Sequence, residues 1–241
     1  MKIIALESSA VTASVAVCED EVLLAQSFQN SGLTHSATLM PMAVDLLKNA
    51  GLTLEEMDVV AVAAGPGSFT GVRIGVAAAK GLAWPGEKPC APCSTLESMA
   101  WQVAHMEGEI CAVMDARRNQ VYAARFLGTG GSLVRISPDG SVDLENLAAE
   151  VKKSGNPQIL VGDGAALCYN AFKACGIAVR LAPPHLLRQT AWGVARAGLE
   201  LARKGQLVDA GQVKPQYHRL SQAERERLER MVRATEPNQE R

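Results

Sequence analysis

The order of the predicted elements limits the folds open to this chain more than any single motif does. Hydrophobic periodicity predicts three strands at residues 2–6, 13–18 and 22–28, followed by a helix that ends near residue 50. It continues with strand, helix, short apolar segment and helix at residues 59–64, 72–84, 89–93 and 95–105. The same order then returns. Three strands are predicted at residues 110–114, 121–127 and 133–136, followed by a helix at 144–153. A strand at 158–161, a helix at 165–174, a short strand at 177–181 and a helix at 190–204 complete it. No repeat of the residues themselves is evident, so the prediction of two equivalent units rests on element order.

Three leading strands followed by alternating helices and strands predict an α/β fold, with a mixed sheet and helices on both faces in each unit. Two such units side by side are typical of the actin-like fold (ASKHA, RNase H-like), which sugar kinases and Hsp70-type ATPases share. We expect an N-terminal lobe at residues 1–106, a C-terminal lobe at 107–213 and a charged tail at 214–241. The charged residues 221–241 predict a solvent-exposed helix with ion pairs between side chains three and four residues apart. The alternative is that these residues contact RNA phosphate.

The residues after the first strand of each unit matter because ATPases of this fold place an acidic residue and a glycine-rich turn there. The corresponding residues here are Glu7-Ser8-Ser9 and Asp115-Ala116-Arg117. Both turns have an acidic residue and neither has a glycine, so backbone amides could not wrap a phosphate closely. We therefore interpret Glu7 and Asp115 as remnants of an eroded nucleotide site.

A glycine-rich segment, Gly-Pro-Gly-Ser-Phe-Thr-Gly-Val-Arg-Ile-Gly, occupies residues 65–75 between a predicted strand and a predicted helix. It matches neither a P-loop nor the Gly-x-Gly-x-x-Gly dinucleotide fingerprint. Ser68 or Thr70 could accept a hydrogen bond from the first helical N–H groups. The segment is either a tight structural turn or part of an interface, and the residues in question are Gly65, Gly67, Ser68, Thr70 and Gly71.

Composition predicts a globular protein of the reducing cytoplasm. The formal net charge of −1 lacks the basic footprint of a protein that holds nucleic acid unaided, and no apolar run approaches the length of a membrane span. Six scattered cysteines suit reduced, buried thiols. Cys90 and Cys93 form a C-x-x-C pair, but on a strand a spacing of three places the two sulfurs on opposite faces, so we do not expect a metal or redox site.

Several motifs together resemble one known family. They are the glycine-rich segment, Thr34-His35-Ser36 leading to Pro41, Ser94-Thr95-Leu96-Glu97, the stretch from Met114 to Tyr122, Gly162-Asp163-Gly164, and Pro215-Gln216-Tyr217 with Arg219. On these residues the chain resembles, over nearly its whole length, the TsaB (YeaZ) family of bacterial tRNA threonylcarbamoyladenosine biosynthesis proteins. The glycine-rich segment is the distinctive part of this resemblance, and the others support it.

The resemblance implies a duplicated actin-like fold and a role beside a sister protein, TsaD, that transfers threonylcarbamoyl to an adenosine next to the tRNA anticodon. It also implies a TsaE-type ATPase in a larger complex, a homodimer when the chain is alone, contact with tRNA only through the complex, and no membrane association. The chain is expected to have no cofactor of its own, with weak or interface-bound ATP or ADP left open.

The sister family carries a His-x-x-x-His metal motif near the start of a helix in its first half. The corresponding stretch here resembles Thr95-Leu96-Glu97-Ser98-Met99, with a hydroxyl and a thioether where two imidazoles would be needed. The four histidines (35, 105, 185 and 218) form no metal-spaced pair. We therefore expect no catalytic residue, no metal site and no transferase activity in this chain by itself.

Family members pair through the helix after the His-Ser and the helix after the glycine-rich segment. The helix at 72–84 is apolar or small around nearly its whole circumference, which requires cover on both sides, and methionines flank the core stripe of the first helix. The expected partner-binding residues are Met40, Met42, Val44, Leu47, Val72, Arg73, Val76, Ala78 and Ala79. The alternative is that these residues fill the core of the chain's own lobe.

Two other functions stay open at this point. In an actin-like ATPase or small-metabolite kinase, Glu7 and Asp115 would bind Mg²⁺ and residues 65–71 would hold phosphate. A metallopeptidase is disfavoured by the missing histidine pair. Arg73 could bind a partner or a nucleotide phosphate, or could extend from a core helix to solvent. Arg117 and Arg118 could pair with Asp115 and nearby acids.

Overall fold

The computed structural model describes residues 1–218. The first sheet is built from β1 (Lys2–Glu7), β2 (Ala13–Glu19), β3 (Val22–Gln29), β4 (Val59–Gly65) and β5 (Cys90–Ser94), in the spatial order β3-β2-β1-β4-β5. β1 pairs antiparallel with β2 and parallel with β4, and β5 extends the parallel side. Three helices belong to this half: α1 (His35–Ala50), α2 (Phe69–Ala83) and α3 (Thr95–Gln102).

The second half repeats this plan with β6 (Gly108–Asp115), β7 (Gln120–Thr129), β8 (Ser132–Arg135), β9 (Gly140–Asp143), β10 (Gln158–Val161) and β11 (Val179–Leu181). Its sheet has the order β11-β10-β6-β7-β8, with β9 pairing β7. The helices are α4 (Leu144–Ser154), α5 (Ala165–Ala174) and α6 (Ala191–Arg203). The predicted repetition of element order is therefore confirmed, and β9 is the one strand that the sequence pattern did not predict.

The start of α2 also differs from the sequence prediction. α2 begins at Phe69 rather than at residue 72, because Ser68 caps the helix three residues earlier. Residues 221–241 of the expected tail helix lie outside the described residues.

Strand alternation divides each sheet into two apolar faces. Ile4, Leu6, Val60 and Val62 face α1 and α2, whereas Ile3, Ala5 and Ala61 face α6. In the second sheet, Cys111, Val113 and Leu160 pack under α4 and α5, whereas Ile110, Ala112 and Phe126 pack under α3. Both sheets are thus covered on both sides, as near-continuous apolar strands such as Val59–Gly65 require.

The last helix of each half covers the sheet of the other half. Leu96, Met99 and Ala100 of α3 lie in the core of the second sheet, and Val194 and Ala195 of α6 lie in the core of the first. Each lobe therefore depends on a helix from the other, so the lobe boundary expected at residues 106/107 stays a prediction. Among residues 1–218, no helix has the length and apolar character that a membrane span needs.

Candidate functional site

The glycine-rich segment connects β4 to α2 at the inner edge of the first lobe. Ser68 is the N-cap of α2, and its Oγ accepts a hydrogen bond from the backbone N–H of Gly71 at 3.4 Å. Ser68 and Thr70 are exposed, whereas Gly65 and Gly71 are buried. Of the two capping residues that the sequence allowed, Ser68 holds the position.

The glycines of this segment pack against the turn that follows β1. A β-carbon on Gly67 would overlap the carbonyl oxygen of Ser9, and one on Gly71 would overlap the carbonyl oxygen of Ser8. A β-carbon on Gly75 would lie 2.6 Å from Ser8 Oγ. Ser68 N–H donates to the Ser9 carbonyl at 2.6 Å, and Ser8 Oγ donates to the Gly71 carbonyl at 2.9 Å. These glycines therefore permit close contact between two segments of the chain itself.

The second lobe has the equivalent contact. A β-carbon on Gly162, after β10, would overlap the carbonyl oxygen of Val113, and one on Gly164 would lie 2.9 Å from the carbonyl carbon of Met114. Gly164 N–H donates to Val113 at 3.2 Å. In both lobes a glycine-containing turn after the central parallel strand packs against the end of the first strand, so the duplication extends to the site.

The side chain of Glu7 hydrogen-bonds to the backbone of the turn that follows β1. Its side chain is fully buried, and Oε1 accepts a hydrogen bond from the backbone N–H of Ser9 at 2.5 Å. Among residues 1–218, Oε2 of Glu7 and Oγ of Ser9 have no hydrogen-bond partner. Burial, the largest effect, raises the pKa of Glu7 to about 7, and the nearby carboxylate of Asp163 adds to the rise.

Asp115 occupies the same position after β6 but is exposed. Its Oδ1 accepts a hydrogen bond from the backbone N–H of Arg117 at 2.7 Å, so it is the backbone of Arg117, and not its guanidinium group, that contacts this carboxylate. Residues 117–119 all have positive φ angles (63°, 55° and 60°), which non-glycine residues rarely adopt. Burial raises the pKa of Asp163, and Asp115 contributes to the rise.

A cleft of about 630 Å³ lies between the two lobes at these turns. Its walls include Ser9, the glycine-rich segment at residues 66–70, Asp115, Asp163 and Tyr217. This is where a nucleotide would sit in an ATPase of the expected fold. Glu7 and Asp115 end β1 and β6, one in each lobe; Asp115 lines the cleft, whereas the fully buried Glu7 lies behind Ser9 and is not among the lining residues.

The cleft does not fit a magnesium nucleotide well. The amides that would contact phosphate after β1 and β6 include those of Ser9 and Arg117, and both already donate to carboxylates of the chain itself. The space beside Gly67 and Gly71 is filled by the backbone of Ser8 and Ser9, which excludes a phosphate there. The carboxyl groups of Asp115 and Asp163 add negative charge to the cleft walls.

The stretch that would carry a histidine pair in the sister family lies at the start of α3. Thr95 and Met99 are completely buried, and Met99 packs in the core of the second sheet. His35 lies at the start of α1, where its Nε2 is 2.7 Å from the carbonyl oxygen of Ala10. The described part of the chain contains no group of three or more His, Cys, Asp or Glu side chains that could hold a metal ion.

Cys90 and Cys93 lie on opposite faces of β5. Cys90 belongs to the core under α1 and α2, and Cys93 to the core under α6. Burial raises the pKa of Cys90 to about 11 and that of Cys93 further. The predicted separation of the two sulfurs is confirmed, and neither thiol is positioned to form a metal pair with the other.

The structure divides the nine expected partner-binding residues into two groups. Leu47, Val72, Val76 and Ala79 are buried in the chain's own core, as the alternative interpretation of these helices held. Val44 is 59% exposed, Arg73 is exposed, and three others are half-buried: Met40, Met42 and Ala78. A partner could therefore contact only the second group directly.

The outer side of α2 carries small and apolar residues. Ala77 and Gly81 are exposed, and Trp84, just after the helix, is 67% exposed. These three residues recur at the spacing of one helix face together with Thr70 and Arg73. One side of α2 is therefore core, and the other is open, with Arg73 near its start and small or apolar residues at Ala77 and Gly81.

A cluster of two rings and an arginine stands at the start of α2. The ring of Tyr217 stacks on that of Phe69 with centroids 4.8 Å apart, and Arg73 Nε donates to the Tyr217 hydroxyl at 2.7 Å. The Arg73 guanidinium lies 3.7 Å above the centre of the Phe69 ring. Sequence reasoning singled out Arg73 but missed its two partners. Phe69 lies four residues before Arg73 on α2, a helical spacing that could have indicated the contact. Tyr217 lies 144 positions from Arg73, and no local spacing joins the two.

The C-terminal segment delivers Tyr217 to this cluster. Gln216 N–H donates to the carbonyl of Ala64 at 2.7 Å, and a β-carbon on Gly65 would overlap the carbonyl oxygen of Gln216. Gly65, with a φ angle of 128°, therefore allows the segment at Gln216 to cross β4.

The family model and the named relatives that match this chain both belong to the threonylcarbamoyladenosine modification of tRNA. The model of the family described as "TsaD: tRNA N6-adenosine threonylcarbamoyltransferase" matches residues 29–224. The tRNA threonylcarbamoyladenosine biosynthesis protein TsaB of Bacillus subtilis is 34% identical over 69% of this chain and 73% of its own length. TsaB of Escherichia coli is 37% identical over 52% of this chain and 55% of its own length.

Solved structures agree with the fold. YeaZ from Pseudomonas aeruginosa superimposes with a TM-score of 0.76 and 26% identity, covering 90% of this chain and 99% of that one. An activator of 2-hydroxyisocaproyl-CoA dehydratase from Clostridium difficile with bound ADPNP has a TM-score of 0.51 and 12% identity, covering 86% of this chain and 97% of that one, which shows likeness of fold alone. The predicted duplicated actin-like fold is confirmed.

Proposed function

This chain belongs to the TsaB (YeaZ) family of tRNA threonylcarbamoyladenosine biosynthesis proteins, and we propose that it serves there as a non-catalytic partner subunit. In this proposal it binds a TsaD-type catalytic subunit and supports the N6-threonylcarbamoyladenosine modification of tRNA next to the anticodon. The role in this modification pathway follows from the family, and the partner role is argued from the surface of α1 and α2.

The observation that carries the proposal is the outer face of α2 with its neighbour α1. Ala77 and Gly81 on α2, Trp84 just after α2, and Val44 on α1 are exposed where a soluble helix ordinarily carries charged side chains. Small residues let a second helix approach closely, and an exposed tryptophan and valine gain free energy when a partner covers them. The half-buried Met40 and Met42 add side chains that can repack against different partners.

The buried hydroxyl and thioether at the start of α3 support the non-catalytic part of the proposal. Thr95 and Met99 are poor ligands for Fe²⁺ or Zn²⁺, and their burial leaves no open coordination position. The matching family model is described as a transferase, so transferase activity of this chain alone is the competing hypothesis. Catalysis in our proposal belongs to the partner subunit.

The proposal also includes the expected oligomeric state, further partners and location of the chain. The chain forms a homodimer through the same face when alone, joins a TsaE-type ATPase in a larger complex and contacts tRNA only through that complex. It acts in the cytoplasm without a metal or cofactor of its own, so any ATP or ADP it contacts binds weakly or at an interface with a partner.

The experiment compares two exposed valines. Val44→Glu places a carboxylate on the face of α1, and Val134→Glu, at a position 56% exposed on β8, is its matched control in the other lobe. Each full-length variant is mixed with the TsaD-type subunit from the same organism. Complex formation is followed by isothermal titration calorimetry, and modification of tRNA by mass spectrometry of its nucleosides.

We expect Val44→Glu to remove most complex formation and tRNA modification while circular dichroism shows an unchanged fold. Val134→Glu should behave like the unaltered chain. Modification of tRNA by the isolated chain would overturn the non-catalytic role. Equal binding by the two variants would overturn the assignment of the partner face.

A further inference from the structure

We propose that Arg73, held in place by Phe69 and Tyr217, binds a carboxylate of the TsaD-type subunit and so favours that partner over a second copy of this chain. This inference rests on the proposed function, because it assumes that the outer face of α2 meets the partner. It adds the residue that sets specificity and the chemistry of the group it recognises.

The geometry fixes the direction of the guanidinium group. Its Nε donates to the Tyr217 hydroxyl at 2.7 Å, and its central carbon lies 3.7 Å from the centre of the Phe69 ring. Tyr217 is itself stacked on Phe69. An arginine restrained in this way loses less conformational freedom on binding than one that moves freely in solvent.

The two terminal nitrogens of Arg73 are available. Within residues 1–218, the only hydrogen bond of this side chain is the one from Nε, and the guanidinium forms no ion pair. Arg73 is exposed and is not part of the cleft wall, although Phe69, Thr70 and Tyr217 are. A planar fork with two free N–H groups matches a carboxylate bidentately, and its position outside the cleft favours a partner group over a nucleotide in the cleft.

The charges of the two helices argue against a second copy as the preferred partner. The only carboxylate on α1 and α2 is that of Asp45, whereas Lys48, Arg73 and Lys80 are cationic. In a two-fold symmetric pair the same face meets itself, so these cations approach one another with few acids to balance them. A heterologous partner with acidic side chains opposite α2 avoids that repulsion and gains charge-assisted hydrogen bonds.

The C-terminal segment makes this arrangement possible. Besides Tyr217 on Arg73, the carbonyl of Gly211 accepts a hydrogen bond from Lys80 Nζ at 3.4 Å, and Val213 is buried in the core under α2. Residues 211–217 therefore run along α2 and contact both of its cations. Tyr217 acts as a positioning residue in this proposal, because its effect on the partner passes through Arg73.

The test measures binding of the full-length chain to its TsaD-type subunit by calorimetry at low and high salt. Arg73→Gln should weaken binding roughly 10- to 100-fold, the range for a hydrogen bond to a charged group, and should reduce its salt dependence. Arg73→Lys keeps the charge but loses the fork, and should weaken binding by a smaller factor. Tyr217→Phe removes only the hydroxyl and should cost roughly 3- to 10-fold. Tyr169→Phe on α5 is the matched control and should have no effect.

The double variant distinguishes positioning from a separate contact. If Tyr217 acts through Arg73, adding Tyr217→Phe to Arg73→Gln causes no further loss. Homodimerisation, followed by sedimentation equilibrium, should be unchanged or strengthened by Arg73→Gln. An equal weakening of homodimer and heteromeric complex would overturn the specificity role, and additive losses would overturn the positioning role.

Two outcomes separate this inference from the proposed function. If Val44→Glu abolishes the complex while both Arg73 variants bind normally, the partner face stands and the Arg73 inference is overturned. If the loss caused by Arg73→Gln occurs only when ATP or ADP is present, Arg73 contacts a phosphate, and the carboxylate assignment is overturned. If none of the variants affects the complex, both proposals fail.

Discussion

Ser8 and Gly71 are in direct contact across 63 residues of sequence: the side-chain Oγ of Ser8 donates to the Gly71 carbonyl at 2.9 Å, and no β-carbon fits on Gly71 beside the Ser8 carbonyl oxygen. Through this contact the first turn of α2 rests on the turn after β1. This contact helps to set the position of α2 relative to the turn after β1. The contribution of this contact to the stability of the fold should be measurable in the isolated chain, without the partner subunit.

Gly71→Ala should lower the free energy of unfolding by about 1–3 kcal/mol, because the new methyl group overlaps backbone that cannot move aside easily. Gly81→Ala is the control on the same helix, where a β-carbon meets nothing within 4 Å. There the substitution should raise stability by up to about 1 kcal/mol, since alanine is the better helix former. Urea unfolding of the isolated chain measures both, and equal effects would contradict the packing argument.

Stability should fall as pH rises through the titration of Glu7. Burial raises its pKa in the folded state to about 7 from an ordinary value of 4.5, so the folded chain binds the extra proton between these values. The stabilising contribution is complete below about pH 4.5 and is lost as pH approaches and passes 7.

Glu7→Gln removes this titration, and its amide oxygen can still accept the hydrogen bond from Ser9. The variant should be more stable than the unaltered chain at pH 8, by about 3 kcal/mol at most, since one pKa unit is worth about 1.4 kcal/mol. Asp163, whose pKa is also raised, should leave a smaller slope in the variant. Urea midpoints across the pH range test this, with the exposed Glu55→Gln as control; parallel curves for Glu7→Gln and the unaltered chain would refute it.

Thiol labelling should find one reactive cysteine in the folded chain. Cys175 is exposed, whereas the other five cysteines are buried. Burial raises the pKa of Cys18 and of Cys168 to about 12, which keeps both as unreactive thiols near neutral pH. Ellman's reagent at pH 8 should therefore react rapidly with a single thiol, and Cys175→Ser should remove that phase. Rapid reaction of Cys90 or Cys93 would show that the C-x-x-C pair is open to chemistry.

Magnesium ATP should leave the melting temperature of the isolated chain unchanged. The backbone N–H groups of Ser9 and Arg117 are already bound by Glu7 and Asp115, so phosphate would have to displace a carboxylate of the chain. Differential scanning fluorimetry with about 1 mM nucleotide measures this, because a ligand that binds the folded state raises the melting temperature. A rise that disappears in Asp115→Ala would support the ATPase or kinase alternative instead.

The sequence predicted which residue types lie at the site, but not which residues they contact. The sequence placed Glu7 and Asp115 at the ends of the first strands of two units with the same element order, as the structure has them. It could not show that Glu7 is buried while Asp115 is exposed, because that depends on which neighbouring segments cover each turn. Likewise, Val76 and Ala77 of α2 are both apolar, so the sequence alone does not show that Val76 is buried in the core and Ala77 is exposed.

The sequence by itself determined the order of strands and helices, the duplication and the two faces of β5, because hydrophobic periodicity and turn residues act over a few neighbouring positions. Only the tertiary structure decided that α3 and α6 each cover the sheet of the opposite half. It also decided that Tyr217 restrains Arg73. Such contacts join residues far apart in the chain, and they form only where the packing of whole elements brings the side chains within a few ångströms of each other.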